Sequence, residues 1–187
     1  MANMLITPEY RELNAKLHDR NPGYGAGYAS STWYPHISQF AKLLNASSIL
    51  DYGCGKGQLG KSLSAWVVKG YDPAIPGRDD APEPADLVVC TDVLEHIEPE
   101  CLDAVMDDLK RLTIKGIFLT VALHPASKFL EDGRNAHLIQ QKSEWWLPKI
   151  QARWDMRFFQ AQVKDFVVFG LPLAVDFVKP NMKAVAA

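Results

Sequence analysis

Acids that close apolar segments, glycines at alternate positions and two loop histidines are the residues of this chain that could do chemistry. Ser48-Ile49-Leu50-Asp51-Tyr52-Gly53-Cys54-Gly55-Lys56-Gly57 is a short apolar run that ends in a carboxylate and breaks into glycines. A strand that gives way to a Gly-rich turn and then a helix brings bare backbone N–H groups up to a ligand. Such a turn binds a nucleotide-like molecule. Asp72, with Pro73 behind it, ends the next apolar segment, 21 residues after Asp51. Thr91 and Asp92 end a third, and Asp92 would line the same cleft. Each acid could instead be a short side chain capping a strand end. His124 and His137 fall in polar segments farther along, and histidine is the commonest general base for a hydroxyl nucleophile. A loop histidine bonded to backbone is the plainer use of either. Arg134 and Asn135 could meet an acceptor carboxylate or phosphate.

These residues need a frame, and the hydrophobic period supplies one. A helix is predicted from Thr7, with Pro8 and Glu9 in its first turn, to about His18, and a second over about Tyr34–Leu44. Strand and helix then alternate. Ile49–Asp51 ends a strand, Gln58–Trp66 is a helix, Val67–Asp72 a strand, and Asp86–Thr91 a strand apolar on both faces. A helix over about Pro99–Leu112 carries the stripe Leu102, Val105, Met106, Leu109 and Leu112. Gly116–Ala122 is the next strand, and Ser143 caps a helix to about Arg153. Met156–Val163, Phe166–Phe169 and Leu173–Val178 form strands joined by tight turns, one through Gly170 and Pro172. The fold class is therefore α/β: a doubly wound, Rossmann-like, mostly parallel sheet with helices on both faces and an antiparallel C-terminal hairpin. Between Asp72 and Asp86 lie 13 residues, four of them proline. They cannot hold a helix–strand–helix unit, yet extended at about 3.3 Å per residue they reach roughly 40 Å. The third strand is lost or vestigial.

Bulk properties bound the function. At 187 residues the chain is one domain, with residues 1–45 as an N-terminal helical cap and 46–187 as the core. The net charge of -2 leaves no basic footprint for nucleic acid. Cys54, Cys90 and Cys101 lack paired metal-ligand spacing, and Cys54 and Cys90 suit small core positions, so no metal is expected. No apolar run approaches the roughly 20 residues of a membrane span, and no segment has a signal-peptide layout. A cytoplasmic, reduced setting fits.

The glycines admit two cofactors. Gly55-Lys56-Gly57-Gln58-Leu59-Gly60 satisfies the dinucleotide fingerprint G-x-G-x-x-G and would make the protein an NAD(P)-dependent oxidoreductase. That fingerprint should follow its strand at once, yet here the turn has begun at Gly53. Counted from Asp51 the pattern is D-x-G-x-G-x-G. With Tyr71-Asp72-Pro73 and the run Asp86-Leu87-Val88-Val89-Cys90-Thr91-Asp92-Val93-Leu94-Glu95-His96-Ile97, it resembles class I S-adenosylmethionine-dependent methyltransferases over about Ser48–Ala122. The resemblance implies methyl transfer by in-line displacement from S-adenosyl-L-methionine. Asp51, Gly53, Cys54, Gly55, Gly57, Asp72, Pro73, Thr91 and Asp92 would hold that cofactor, with Asp72 on the ribose hydroxyls. His124 or His137 would serve as base. Glu95 and His96 would brace the turn. The motifs of DNA-methylating relatives are missing, which favours a small-molecule acceptor. A non-catalytic binding module that keeps the cofactor site is a third possibility. Without a third strand, Asp79 or Asp80 would have to replace its contact near the adenine. Tyr24–Tyr28, with Trp33-Tyr34, would close over the cofactor or pack the N-terminal helices onto the sheet.

Overall fold

The computed structural model describes residues 4–25 and 30–173. Six strands form one sheet in the order β2-β1-β3-β4-β6-β5. These are β1 (Ser48–Tyr52), β2 (Val67–Tyr71), β3 (Ala85–Thr91), β4 (Thr113–Ala122), β5 (Trp154–Ala161) and β6 (Asp165–Pro172). The first four run parallel, and β6 pairs antiparallel with both β4 and β5. Composition decides the order. β3 carries the unbroken apolar run Leu87-Val88-Val89-Cys90 and sits centrally, every one of those side chains buried. β2, Val-Val-Lys-Gly-Tyr, tolerates the edge, and Val67 is 64% exposed there.

Alternation along β3 divides the core between two faces. Val88 and Cys90 pack with Met106 and Leu109 of α4 (Leu102–Leu112) and with Trp146 of α5 (Ser143–Gln151). Leu87 and Val89 pack on the other face with Ile37 of α2 (Tyr34–Leu43) and Leu59 of α3 (Gln58–Ser62). Each fully buried leucine contributes roughly 1.5–3 kcal/mol. α1 (Pro8–Arg20) is capped by Thr7, whose hydroxyl accepts from Tyr10 N at 3.1 Å. No helix of the described residues is long and apolar enough to cross a membrane.

Several expectations need correction. Among the described residues the C-terminal segment is one hairpin, β5 and β6, with no turn at Gly170. Gly170 lies inside β6, paired with Ile117 on one side and Met156 on the other. A methyl group there would sit 3.0 Å from Trp154 Cβ, so this glycine serves close strand packing. The turn is at Gln162–Lys164, closed by Gln162 N–H donating to Asp165 O at 2.8 Å. Of the predicted strand Leu173–Val178, Leu173 follows β6 without joining it and 174–178 lie outside the described residues. α3 stops at Ser62, with Trp66 beyond it. Ser143 is the first residue of α5 and its hydroxyl reaches Glu144 at 3.4 Å, so it does not cap the helix from the N-cap position.

No strand lies between Asp72 and Ala85, consistent with a lost third strand and leaving β2 at the edge. The connection is not simply extended. Asp72 N–H donates to Arg78 O at 2.9 Å and Arg78 N–H to Ile75 O at 3.0 Å, closing residues 72–78 into a compact loop.

Candidate active site

A cavity of about 390 Å³ opens at the C-terminal ends of β1, β2 and β3. This is where a parallel sheet leaves a crevice, because the connections on the two sides of β1 run to opposite faces. Asp51 enters it from β1, Asp72 from the residue after β2, and Thr91 and Asp92 from the end of β3. Gly53, Cys54, Gly55 and Pro73 also line it.

The glycine turn is built differently from the expected cradle of bare N–H groups, because every backbone N–H from Gly53 to Gly57 already has a partner. Gly53 and Cys54 both donate to Tyr71 O, at 2.8 and 2.9 Å. Gly55 donates to Asp72 Oδ2 at 3.0 Å, Lys56 to Gly25 O at 2.7 Å, and Gly57 to Cys54 O at 2.8 Å. The glycines serve close approach. Gly53 has φ +75, and a Cβ on it would lie 2.4 Å from Val93 Cγ2. Gly55 has φ +49, and a Cβ on it would lie 2.3 Å from Gly25 O. Gly57 faces the Arg78 guanidinium and does not line the cavity.

What the turn offers a ligand is therefore carboxylate and apolar surface. Asp72 Oδ1 accepts from Ala74 N at 3.0 Å as well. A carboxylate has about four acceptor positions, so two remain for hydroxyl groups. Burial raises the Asp51 carboxyl to about 7, with the Asp72 charge pushing the same way and Arg78 opposing. Asp92 is also raised, by burial first, and its carboxylate accepts from the Thr120 hydroxyl at 3.1 Å. Asp92 has φ +55, a left-handed backbone that a short acid tolerates.

Neither His124 nor His137 lines this cavity. His124 is exposed, its Nδ1 2.8 Å from Pro125 O. His137 is buried, bonded through Nδ1 to His124 O, with its ring edge-on to His96 at 4.6 Å. Arg134 pairs with Asp132 at 2.7 Å, and the Asn135 amide is held by Ala126 N and O. Asp79 and Asp80 do not line the cavity, and Asp79 lies 3.7 Å from Arg11. Trp146 is core, whereas Trp145 is 38% exposed beneath the Lys149 ammonium.

The N-terminal segment forms the opposite wall, through Leu5, Ile6, Tyr10, Asn14, His18 and Tyr24. Glu98 fixes it, accepting from Thr7 N at 2.9 Å and from the Thr7 hydroxyl at 2.7 Å. The Tyr10 hydroxyl donates to His96 O. Tyr24, Gly25 and Tyr34 line the cavity, Trp33 packs into the core near Phe118, and residues 26–28 lie outside the described residues. No spacing in the sequence marks the α1 residues as site residues, since the docking of α1 depends on distant partners.

A family model described as a methyltransferase domain matches residues 26–163. No curated protein matches the chain in sequence. Among solved structures it is similar to the 1,6-didemethyltoxoflavin-N1-methyltransferase of Burkholderia thailandensis, with a TM-score of 0.61 at 15% identity, covering 90% of this chain and 92% of that one. It is also similar to magnesium protoporphyrin IX methyltransferase of Synechocystis PCC 6803, with a TM-score of 0.58 at 16% identity over 79% and 83% of the two chains. The N-methyltransferase NodS of Bradyrhizobium japonicum WM9 gives 0.51 at 15% identity over 74% and 86%. All three were solved with S-adenosylhomocysteine bound. The extent of the family match, together with the sheet order and its antiparallel hairpin, means that this chain belongs to the methyltransferase domain family and has the class I fold.

Proposed function

We propose that the protein moves a methyl group from S-adenosyl-L-methionine to a small-molecule acceptor. The observation that carries this is the pairing of a saturated turn with three cavity acids, Asp51, Asp72 and Asp92. A pyrophosphate needs free N–H donors and is repelled by carboxylates, whereas a sulfonium with an ammonium tail and a ribose suits them. The free acceptor positions of Asp72 suit two ribose hydroxyls through charge-assisted bonds. Asp51 and Asp92 supply negative potential, and the backbone at Gly53 and Gly55 allows close approach, with Cys54, Pro73 and Thr91 completing the surface. Gly57 acts through the shape of the turn. The dinucleotide alternative loses support at Gly60 too, because a Cβ there would have only ordinary contact, 3.7 Å from Val68, so nothing requires glycine.

The transfer is an in-line displacement. An acceptor lone pair attacks the methyl carbon opposite sulfur, and the carbon–sulfur electron pair returns to sulfur, leaving S-adenosylhomocysteine. An oxygen or nitrogen acceptor sheds a proton. His124, exposed outside the cavity lining but close enough to oppose the rise of Asp92, is the base this reading assigns to an acceptor that extends past the cavity, and His137 positions the His124 backbone. Most of the acceleration comes from alignment and exclusion of water. A small acceptor agrees with the toxoflavin precursor and the magnesium porphyrin named for two of the similar structures and with a cavity in the small-molecule range.

Calorimetry with S-adenosylhomocysteine and NAD in parallel tests the assignment. Binding of the first and silence of the second is expected. NAD binding alone would overturn it. Cofactor binding without methyl incorporation across a broad acceptor panel would favour the non-catalytic module.

A further inference from the structure

Glu95, His96 and His137 bring one carboxylate oxygen and one nitrogen of each ring within 4.8 Å of one another. Glu95 has no exposed surface. Its Oε1 accepts from Ala122 N at 3.0 Å, while Oε2 is buried with no hydrogen-bond partner. His96 Nδ1 lies 2.8 Å from Ala136 O and 3.3 Å from the Tyr24 hydroxyl, and His137 Nδ1 is bonded to His124 O. A carbonyl only accepts, so each Nδ1 carries the ring proton and each Nε2 keeps its lone pair. The cluster thus offers one carboxyl group and two neutral imidazoles, each ring with a lone pair to give.

The surroundings add negative charge. Asp92 and Asp165 both act electrostatically on Glu95, and Asp165 Oδ1 is a second buried oxygen without a partner. Among the described residues, no lysine or arginine forms an ion pair with Glu95, Asp92 or Asp165. Burial, with the Asp92 and Asp165 charges behind it, raises the Glu95 carboxyl well above the ordinary carboxylate range, and a bound cation is the other way to offset burial of that group.

We propose that Glu95, His96 and His137 bind a divalent transition-metal ion at the wall of the cofactor cavity. Two imidazoles and one carboxylate, each ring oriented by an Nδ1–H bond to a backbone carbonyl, match the ligand and outer-shell pattern of zinc, cobalt or iron sites. An ion bonded at roughly 2.1 Å sets tetrahedral ligand atoms roughly 3.4 Å apart, which small side-chain rotations within the 4.8 Å cluster reach. His96 also lines the cavity, so the ion borders the space where an acceptor would sit. An acceptor hydroxyl on the ion's open position gives up its proton to water more readily and then attacks the sulfonium methyl. That last step rests on the methyl-transfer reading, but the ion site does not.

The test uses the full chain, stripped with EDTA and titrated with cobalt(II) while visible ligand-field bands are followed. One ion per chain is expected, displaced by zinc. Glu95→Gln and His137→Ala should each weaken uptake by at least about tenfold, with circular dichroism and S-adenosylhomocysteine binding retained. His36→Ala, at an exposed histidine of α2, should change nothing. Uptake no stronger than the exposed histidine provides, or unchanged uptake in both variants, would overturn the site. If Glu95→Gln fails to fold, His137→Ala alone decides. Ion binding with no S-adenosylhomocysteine binding would instead refute the cofactor assignment and leave the ion site standing.

Discussion

The Asp51→Asn variant should be more stable than the natural protein at neutral pH and a poorer binder of a cationic cofactor. Asp51 is 6% exposed, and burial raises its carboxyl from an ordinary 3.8 to about 7. The unfolded chain releases this proton near pH 4, whereas the folded chain holds it to about 7. Between those values the folded state binds more protons, so the contribution of Asp51 to stability falls as pH rises and is flat above 7. The difference, 7 − 3.8, is about 3 pH units, and at about 1.4 kcal/mol each it reaches about 4 kcal/mol. Other buried groups titrate in both proteins and cancel in the comparison. Urea unfolding of both at pH 5, 6, 7 and 8 should show a gap that widens by up to about 1.4 kcal/mol per unit toward pH 7 and then stops. Cofactor binding should move oppositely. If the ionised form binds, affinity in the natural protein falls about tenfold from pH 8 to 6, as the ionised fraction falls, and the variant loses that dependence. Parallel stability profiles for the two proteins would refute the buried charge.

Asp72→Asn keeps one acceptor oxygen but sets an amide donor against the N–H of Gly55 or Ala74; calorimetry should find S-adenosylhomocysteine bound about 10–100-fold more weakly, the value of a charge-assisted bond. Gly53→Ala puts a Cβ 2.4 Å from Val93 Cγ2 at φ +75, and chemical denaturation should register a loss of about 1–3 kcal/mol. Thr7→Ala removes both the α1 cap and the hydroxyl bond to Glu98; a loss of about 1–2 kcal/mol is expected, with a raised KM for the cofactor because α1 forms one cavity wall. Trp146→Ala empties a fully buried site in the α4–α5 layer and should cost about 3–5 kcal/mol in denaturation midpoint measurements.

Strand existence and the mostly parallel pairing were legible where period and burial agree. Leu87–Cys90 announces a doubly covered strand, and the α4 stripe announces its own buried face. The carboxylates were legible too, since each closes an apolar run. Three things were hidden, each for a physical reason. Gly170 has a turn-forming type but a packing role, because what it must avoid is Trp154 across the strand pair. Glu98 looks like a residue for a helix dipole, yet its partner is Thr7, 91 positions away. His96 and His137 meet only because Ala136 and His124 carbonyls turn their rings, and no spacing encodes that.

The saturated turn and the missing strand are parts of one arrangement. Without a third strand, β2 has no outer neighbour to hold its end in place. Instead Asp72 anchors that end in both directions, its backbone N–H closing the loop onto Arg78 O and its carboxylate taking Gly55 and Ala74 N–H. Arg78 then lies against Gly57 and Gly70, where a Cβ on either would meet its guanidinium below 3.0 Å, and its charge opposes the rise of Asp51. The chain thus replaces a ladder of strand bonds with one carboxylate and one guanidinium. The same two groups act on the charge of the cavity, Asp72 from its lining and Arg78 through Asp51, so edge stability and ligand preference cannot be varied separately at Asp72.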